Sequence, residues 1–130
     1  MTDVRPTVLV VEDDDMLVNM FKHMIRGNGM NIETSPDGTD AIHKMKLIPP
    51  PTVILLDLMM PNIDGFQVIE AFKAHWSWKN IPIVVFSNLS DPESRERALK
   101  LGAEEYMVKS ECNPDDVIAR IQEVIQRHNL

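Results

Sequence analysis

Five short apolar runs punctuate the chain, and each is followed by polar residues and then by apolar residues at helical spacing. Val8-Leu9-Val10-Val11, after Thr7, reads as a central strand buried on both faces. It gives way to Glu12-Asp13-Asp14-Asp15. Met16, Leu17, Met20, Phe21, Met24 and Ile25 then recur as the stripe of an amphipathic helix, and this Met-rich stripe is expected to pack in the core. Gly27-Asn28-Gly29 stops that helix. Met30-Asn31-Ile32-Glu33-Thr34 alternates weakly, as an edge strand does. Asp37 is placed to cap a second helix with Ala41, Ile42 and Met45 inward. Pro49-Pro50-Pro51 leads into Thr52-Val53-Ile54-Leu55-Leu56, a buried strand that stops at Asp57.

Asp64-Gly65 opens a third helix whose buried stripe is Val68, Ile69 and Phe72. Ile81-Pro82-Ile83-Val84-Val85-Phe86 is the next buried strand, ending at Ser87. Ser90-Asp91-Pro92-Glu93 offers a capping side chain, a first-turn proline and a glutamate to complete the cap. The helix it starts has only Ala98, Leu99 and Leu101 as an apolar face and is expected to be the least firmly held; Gly102 ends it. Glu105-Tyr106-Met107-Val108 is a fifth, more polar strand ending at Lys109. Asn113-Pro114-Asp115-Asp116 begins a last helix with Val117, Ile118, Ile121, Val124 and Ile125 at helical spacing. Strands alternating with helices predict an α/β fold: a doubly wound five-stranded parallel sheet with helices on both faces. The two weaker strands, second and fifth, belong on the edges. The expected order is therefore 2-1-3-4-5, the flavodoxin-like arrangement.

Length adds that 1–130 is one domain, with a core over about 7–127 and no output domain in the chain. At 44% hydrophobic it can bury a full core without a disulfide, and its one cysteine, Cys112, could not form an internal one. Met1-Thr2-Asp3-Val4-Arg5-Pro6 lacks the pattern of a signal peptide, and no apolar run is long enough to span a membrane. These readings predict a cytoplasmic protein. The net charge of −7 argues against the domain gripping nucleic acid directly, because neutralising phosphates needs a basic face.

Candidate chemistry lies at the strand ends. The first strand ends in Glu12 and Asp13, the third in Asp57, the fourth in Ser87 and the fifth in Lys109. In a parallel sheet these ends are neighbours on the carboxyl rim, where ligands bind. Three carboxylates packed together raise each other's pKa unless a cation joins them. Oxygen-only ligands with room for water suit Mg²⁺. A metal, an ammonium and a spare carboxylate together make a phosphoryl site, with the carboxylate as nucleophile. Asp14 and Asp15 are read as favourable charges at a helix N-terminus.

With these residues in place the chain closely resembles the receiver domain of bacterial two-component response regulators. The resemblance is carried by Val10-Val11-Glu12-Asp13-Asp14, by Leu55 through Gly65, by Val85-Phe86-Ser87, and by Gly102 through Lys109. It implies a response regulator in phosphorelay signal transduction, a signalling module and not an enzyme beyond its own phosphorylation and dephosphorylation. By that resemblance Asp57 is the phosphoacceptor. Asp13 is a direct Mg²⁺ ligand, Glu12 a ligand mainly through water, and the Met59 carbonyl a further ligand. Ser87 bonds the phosphoryl group, Lys109 pairs with it, and Tyr106 is the switch aromatic that moves with Ser87. A sensor histidine kinase or histidine phosphotransfer protein would donate the phosphate, and a downstream protein target would read the result.

The chain departs from the family in two places. Ser87-Asn88 stands where threonine and a small residue are common. Ser110 stands where proline usually follows the lysine across a cis bond. A cis bond before a non-proline costs about 2.5–4 kcal/mol. The Lys109–Ser110 bond is therefore expected to be trans, with loop 110–112 rearranged and the Lys109–Asp57 contact kept. An aspartyl-phosphate phosphatase of the haloacid dehalogenase type would want a second acid two residues after Asp57, where this chain has Met59. A degenerate, merely binding receiver would have lost the acceptor or the acids, and both are present. Trp76 and Trp78, flanking Ser77, either pack their loop onto the third helix or form an exposed partner site. His23, His43, His75 and His128 form no ligand spacing.

Overall fold

A computed structural model describes residues 4–129. The reading of Met1-Thr2-Asp3 lies outside them. Five strands alternate with five helices: β1 (Thr7–Val11), α1 (Asp15–Gly27), β2 (Asn31–Ser35), α2 (Gly38–Met45), β3 (Val53–Leu56), α3 (Gly65–Ala74), β4 (Ile83–Ser87), α4 (Pro92–Leu101), β5 (Glu105–Val108) and α5 (Pro114–His128). The strands form one parallel sheet in the order β2-β1-β3-β4-β5, as the weak second and fifth strands predicted.

The period of two along each strand divides the core. Leu9, Val11, Ile54, Leu56, Ile83 and Val85 point to the face covered by α2, α3 and α4. Val8, Val10, Val53, Leu55, Val84 and Phe86 point to the face covered by α1 and α5. Alternate residues of one strand therefore serve two hydrophobic layers, which is why the central runs read as continuously apolar. β4 begins two residues later than the apolar run suggested. Pro82 has no N–H to give to the ladder, although its carbonyl still accepts from Ile54 N at 3.0 Å.

The helices start where the sequence placed them, and Asp14, read there as an N-terminal charge, is itself a cap. Asp14 accepts from Met16 N and Leu17 N, Asp37 from Asp40 N, and Asp64 and Asn113 each complete a capping box. At α4 the expected completion of the cap by Glu93 is not found: the cap is Asp91, which accepts from Ser94 N, and the third helical residue is Ser94, so Glu93 serves as a first-turn charge. α4 buries only Ala98, in keeping with its thin apolar face.

The expected core stripe of α1 needs correction. Phe21 and Ile25 are fully buried, and Leu17 and Met24 pack at the edge. Met16, however, is 83% exposed, and Met20 is exposed as well. Both lie in the first half of the helix, on the side that α5 and the sheet do not cover. Spacing alone could not separate the covered half of the stripe from the open half.

Candidate functional site

Register brings the strand ends together. Val11 pairs with Leu56 and Leu56 with Val85, while Ser87 pairs with Val108. The next residue of β1 and of β3, Glu12 and Asp57, therefore emerge side by side. Asp57 N donates to Val11 O at 3.1 Å, and Lys109 N donates to Ser87 O at 2.8 Å. Carboxylate oxygens of Glu12, Asp13 and Asp57 all lie within 4.8 Å of one another. Glu12 and Asp57 are buried, and Asp13 is exposed at the mouth.

Each side chain is held differently. Glu12 Oε2 accepts from Asp13 N and Asp14 N, both at 3.1 Å, and Oε1 accepts from Lys109 Nζ at 2.8 Å. Asp57 Oδ1 accepts from Met59 N at 3.1 Å, and Oδ2 accepts from Lys109 Nζ at 3.2 Å. The Lys109 ammonium also lies 5.9 Å from the centre of the Phe86 ring, so its stem crosses apolar surface before reaching the acids. The Lys109–Ser110 bond is trans, since no described peptide bond is cis. Glu111 N closes the following turn on Val108 O at 2.9 Å. The lysine reaches both acids without proline behind it.

Burial pushes the Glu12 carboxyl up to about 7, the Lys109 hydrogen bond opposes that shift, and the neighbouring Asp57 adds to it. Burial works against the charge on Lys109, but the hydrogen bond to Glu12 and the charge of Asp57 carry its pKa above the ordinary lysine value. One ammonium among three carboxylates leaves negative charge in excess. Hard oxygen donors with one exposed member and open solvent beside it fit a divalent cation that retains water.

Ser87 is fully buried, and its hydroxyl accepts from Leu89 N at 3.4 Å. Tyr106 is buried, 6% exposed, and donates its hydroxyl to Leu89 O at 2.7 Å. Leu89, which drew no attention in the sequence, thus joins the two residues read there as a switch pair. Asn88 and the Met59 side chain face solvent. Asp13, Leu58, Met59, Phe66, Leu89 and Arg97 line an open groove of about 550 Å³ beside the acids. Arg97 crosses from α4 to lie 4.1 Å over the Phe66 ring of α3.

Gly65 sets the floor. Its N–H donates to Leu58 O at 3.0 Å. A Cβ there would lie 2.5 Å from Leu58 Cα and 2.8 Å from Asp57 O, so α3 approaches the backbone of the site as no other residue would allow. An Asp-Gly pair before a helical stripe was the available sequence signal.

The sequence profile of the response regulator receiver domain matches residues 8–122. The chain belongs to that family. It is 30% identical over 129 residues to the DNA-binding response regulator MtrA of Mycobacterium bovis, covering 99% of this chain and 54% of that protein. It is 32% identical over 120 residues to the phosphate regulon transcriptional regulatory protein PhoB of Klebsiella pneumoniae, covering 92% of this chain and 52% of that protein. The receiver spans about half the length of these relatives. Among solved structures it resembles the Francisella response regulator 1452 receiver domain, with 27% identity, a TM-score of 0.85, and coverage of 95% and 99% of the two chains. The chemotaxis protein CheY4 of Vibrio cholerae is similar at 28% identity and a TM-score of 0.85, with coverage of 93% and 99%. The chain is thus a response-regulator receiver, a signalling module of two-component phosphorelays. None of its described helices is long and apolar enough to cross a membrane.

Proposed function

We propose that Asp57 is the phosphoacceptor of this receiver and that phosphorylation switches its partner-binding face. The observation that carries this reading is the buried Asp57 carboxylate, which shares Lys109 with Glu12 and lies within reach of Asp13. An Asp57 oxygen forms the new O–P bond as the P–N bond to a histidine of the donor breaks, and the departing imidazole nitrogen takes up a proton. Lys109 supports phosphoryl oxygens, and Ser87 supplies a hydroxyl to one of them. Glu12, Asp13, Asp57 and the Met59 carbonyl would hold Mg²⁺, which neutralises charge developing on the transferred group. The receiver catalyses only its own phosphorylation and dephosphorylation.

The donor is a sensor histidine kinase or a histidine phosphotransfer protein in the cytoplasm. The whole of 1–130 acts as one receiver domain. Its net charge of −7 favours a protein target over direct contact with nucleic acid. The test is labelling by a small phosphodonor with and without Mg²⁺. Wild type is expected to label only with metal, and Asp57→Asn is expected to abolish labelling. Labelling of Asp57→Asn at the wild-type rate would place the acceptor elsewhere.

A further inference from the structure

Resting on those acceptor and metal roles, we propose that Asp37 and Asn62 are positioning residues for Asp57 and Met59. Asp37 precedes α2 and touches none of the acids. Its two oxygens serve two purposes: Oδ1 accepts from Asp40 N at 2.8 Å and caps α2, while Oδ2 accepts from Asn62 Nδ2 at 3.2 Å. The second bond ties α2 to the loop between β3 and α3, across 25 residues of sequence.

Asn62 has φ 73, and it is the non-glycine residue at positive φ among the described residues. Asparagine is one of the few side chains that accept this left-handed conformation, partly because its amide can bond locally. Here the amide bonds to Asp37 and helps hold the loop in that shape. The next residue, Ile63, packs where α2 lacks a side chain: a Cβ on Gly38 would lie 2.8 Å from Ile63 Cγ1. The first turn of α2 therefore meets the loop at two successive residues.

The other end of the loop is fixed at Gly65, pressed against Leu58 and Asp57. Met59, whose N–H orients Asp57 Oδ1 at 3.1 Å, lies between Leu58, which Gly65 holds, and Asn62, which Asp37 holds. With the Asn62 anchor released, the segment from Met59 to Ile63 can relax. The Met59 carbonyl and the Asp57 carboxylate then lose their alignment.

The alternative is that Asp37 is a helix cap and nothing more. Asp37→Ser separates the two roles, because serine caps about as well as aspartate but is too short to reach Asn62. Asn62→Gly adopts positive φ freely and also removes the bridge. Both variants are expected to keep the thermal midpoint within about 2 °C of wild type. Both are expected to bind Mg²⁺ about threefold to tenfold more weakly in calorimetric titration. That loss is smaller than the roughly tenfold to hundredfold typical of residues bonded directly to metal ligands. Wild-type Mg²⁺ affinity in both variants would overturn the proposal. A wild type that binds no Mg²⁺ would instead sink the metal reading. Amide exchange over residues 58–65, which needs no metal, then decides the bridge: faster exchange in Asp37→Ser supports it, and unchanged exchange overturns it.

Discussion

The ammonium of Lys109 lies 2.8 Å from Glu12 Oε1, nearer than the 3.2 Å that separates it from Asp57 Oδ2. Glu12, although it is the nearer of these two acids to the cation, has its carboxyl pushed up to about 7. Burial therefore outweighs pairing at Glu12, and Lys109 is left shared between two acids.

The consequence for stability has a definite sign. Between the ordinary value of 4.5 and about 7, the folded state keeps a proton on Glu12 that the unfolded chain has released. Its contribution therefore falls as pH rises through that window and is level above it. Without metal, wild type is expected to lose stability relative to Glu12→Gln between about pH 5 and 7.5, and Mg²⁺ is expected to reverse the trend. Urea titrations of both proteins at both pH values measure it. A constant difference between them would show that Glu12 titrates like an ordinary carboxyl.

Asp13 and Asp14 are adjacent but do different work. Asp13 belongs to the acid cluster, and Asp14 caps α1 through Oδ1 at 3.0 and 3.2 Å. Asparagine caps as well as aspartate. Asp14→Asn is thus expected to leave stability and Mg²⁺ affinity nearly unchanged, while Asp13→Asn weakens Mg²⁺ binding at least tenfold on the order set by loss of a charged ligand. Equal losses in a Mg²⁺ titration would refute this division.

Two glycines give a steric contrast. Gly65→Ala forces a methyl group against Leu58 and Asp57 backbone atoms, which cannot rotate away. The expected cost is about 1–3 kcal/mol of stability, with slower labelling of Asp57. Gly27→Ala meets nothing within 4 Å and has no positive φ, so it is expected to stabilise the protein by about 0.4–1 kcal/mol. Denaturant midpoints and labelling rates of the two variants check both signs.

The fold was legible because each level of the chain agreed with the next. Continuous apolar runs fell in β1, β3 and β4, the weaker runs fell at the edges, and caps preceded the helices. Glu12, Asp13, Asp57 and Lys109 could be grouped because parallel strands end on one rim. What escaped were relations with no period. The Asp37–Asn62 bridge, the Leu89 junction and the Arg97–Phe66 stack join loops and helices whose relative placement is a tertiary outcome. The exposed Met16 and Met20 show the same limit, since a helical stripe does not say how far its neighbours extend.

The tryptophans were the pair that spacing could not resolve, and the structure divides them. Trp78 is 5% exposed, edge-on to Phe72 at 5.8 Å and stacked on His75 at 3.7 Å, while Trp76 is 81% exposed. Trp78→Ala is expected to cost about 3–5 kcal/mol. Trp76→Ala is expected to stay within about 0.5 kcal/mol of wild type. Similar losses in thermal or urea unfolding would contradict this assignment.

Leu89 links the rim to the surface through two unequal hydrogen bonds. Ser87 Oγ accepts from Leu89 N at 3.4 Å, a long bond, and Tyr106 donates to Leu89 O at 2.7 Å, a short one. A phosphoryl oxygen on Asp57 would accept from the Ser87 hydroxyl and draw that side chain toward the rim, stretching the already long bond it accepts from Leu89 N. Leu89 would then answer to Tyr106 alone. α4, which follows that loop and buries only Ala98, has little packing to resist a shift. A phosphoryl mimic is therefore expected to change hydrogen exchange over residues 88–101 and 105–108 more than over α1. Tyr106→Phe removes the short bond and is expected to blunt the response in α4 while leaving Asp57 labelling near the wild-type rate. A response confined to α1, or an unaltered α4 response in Tyr106→Phe, would mean that the signal leaves the rim by a route that does not pass through Leu89.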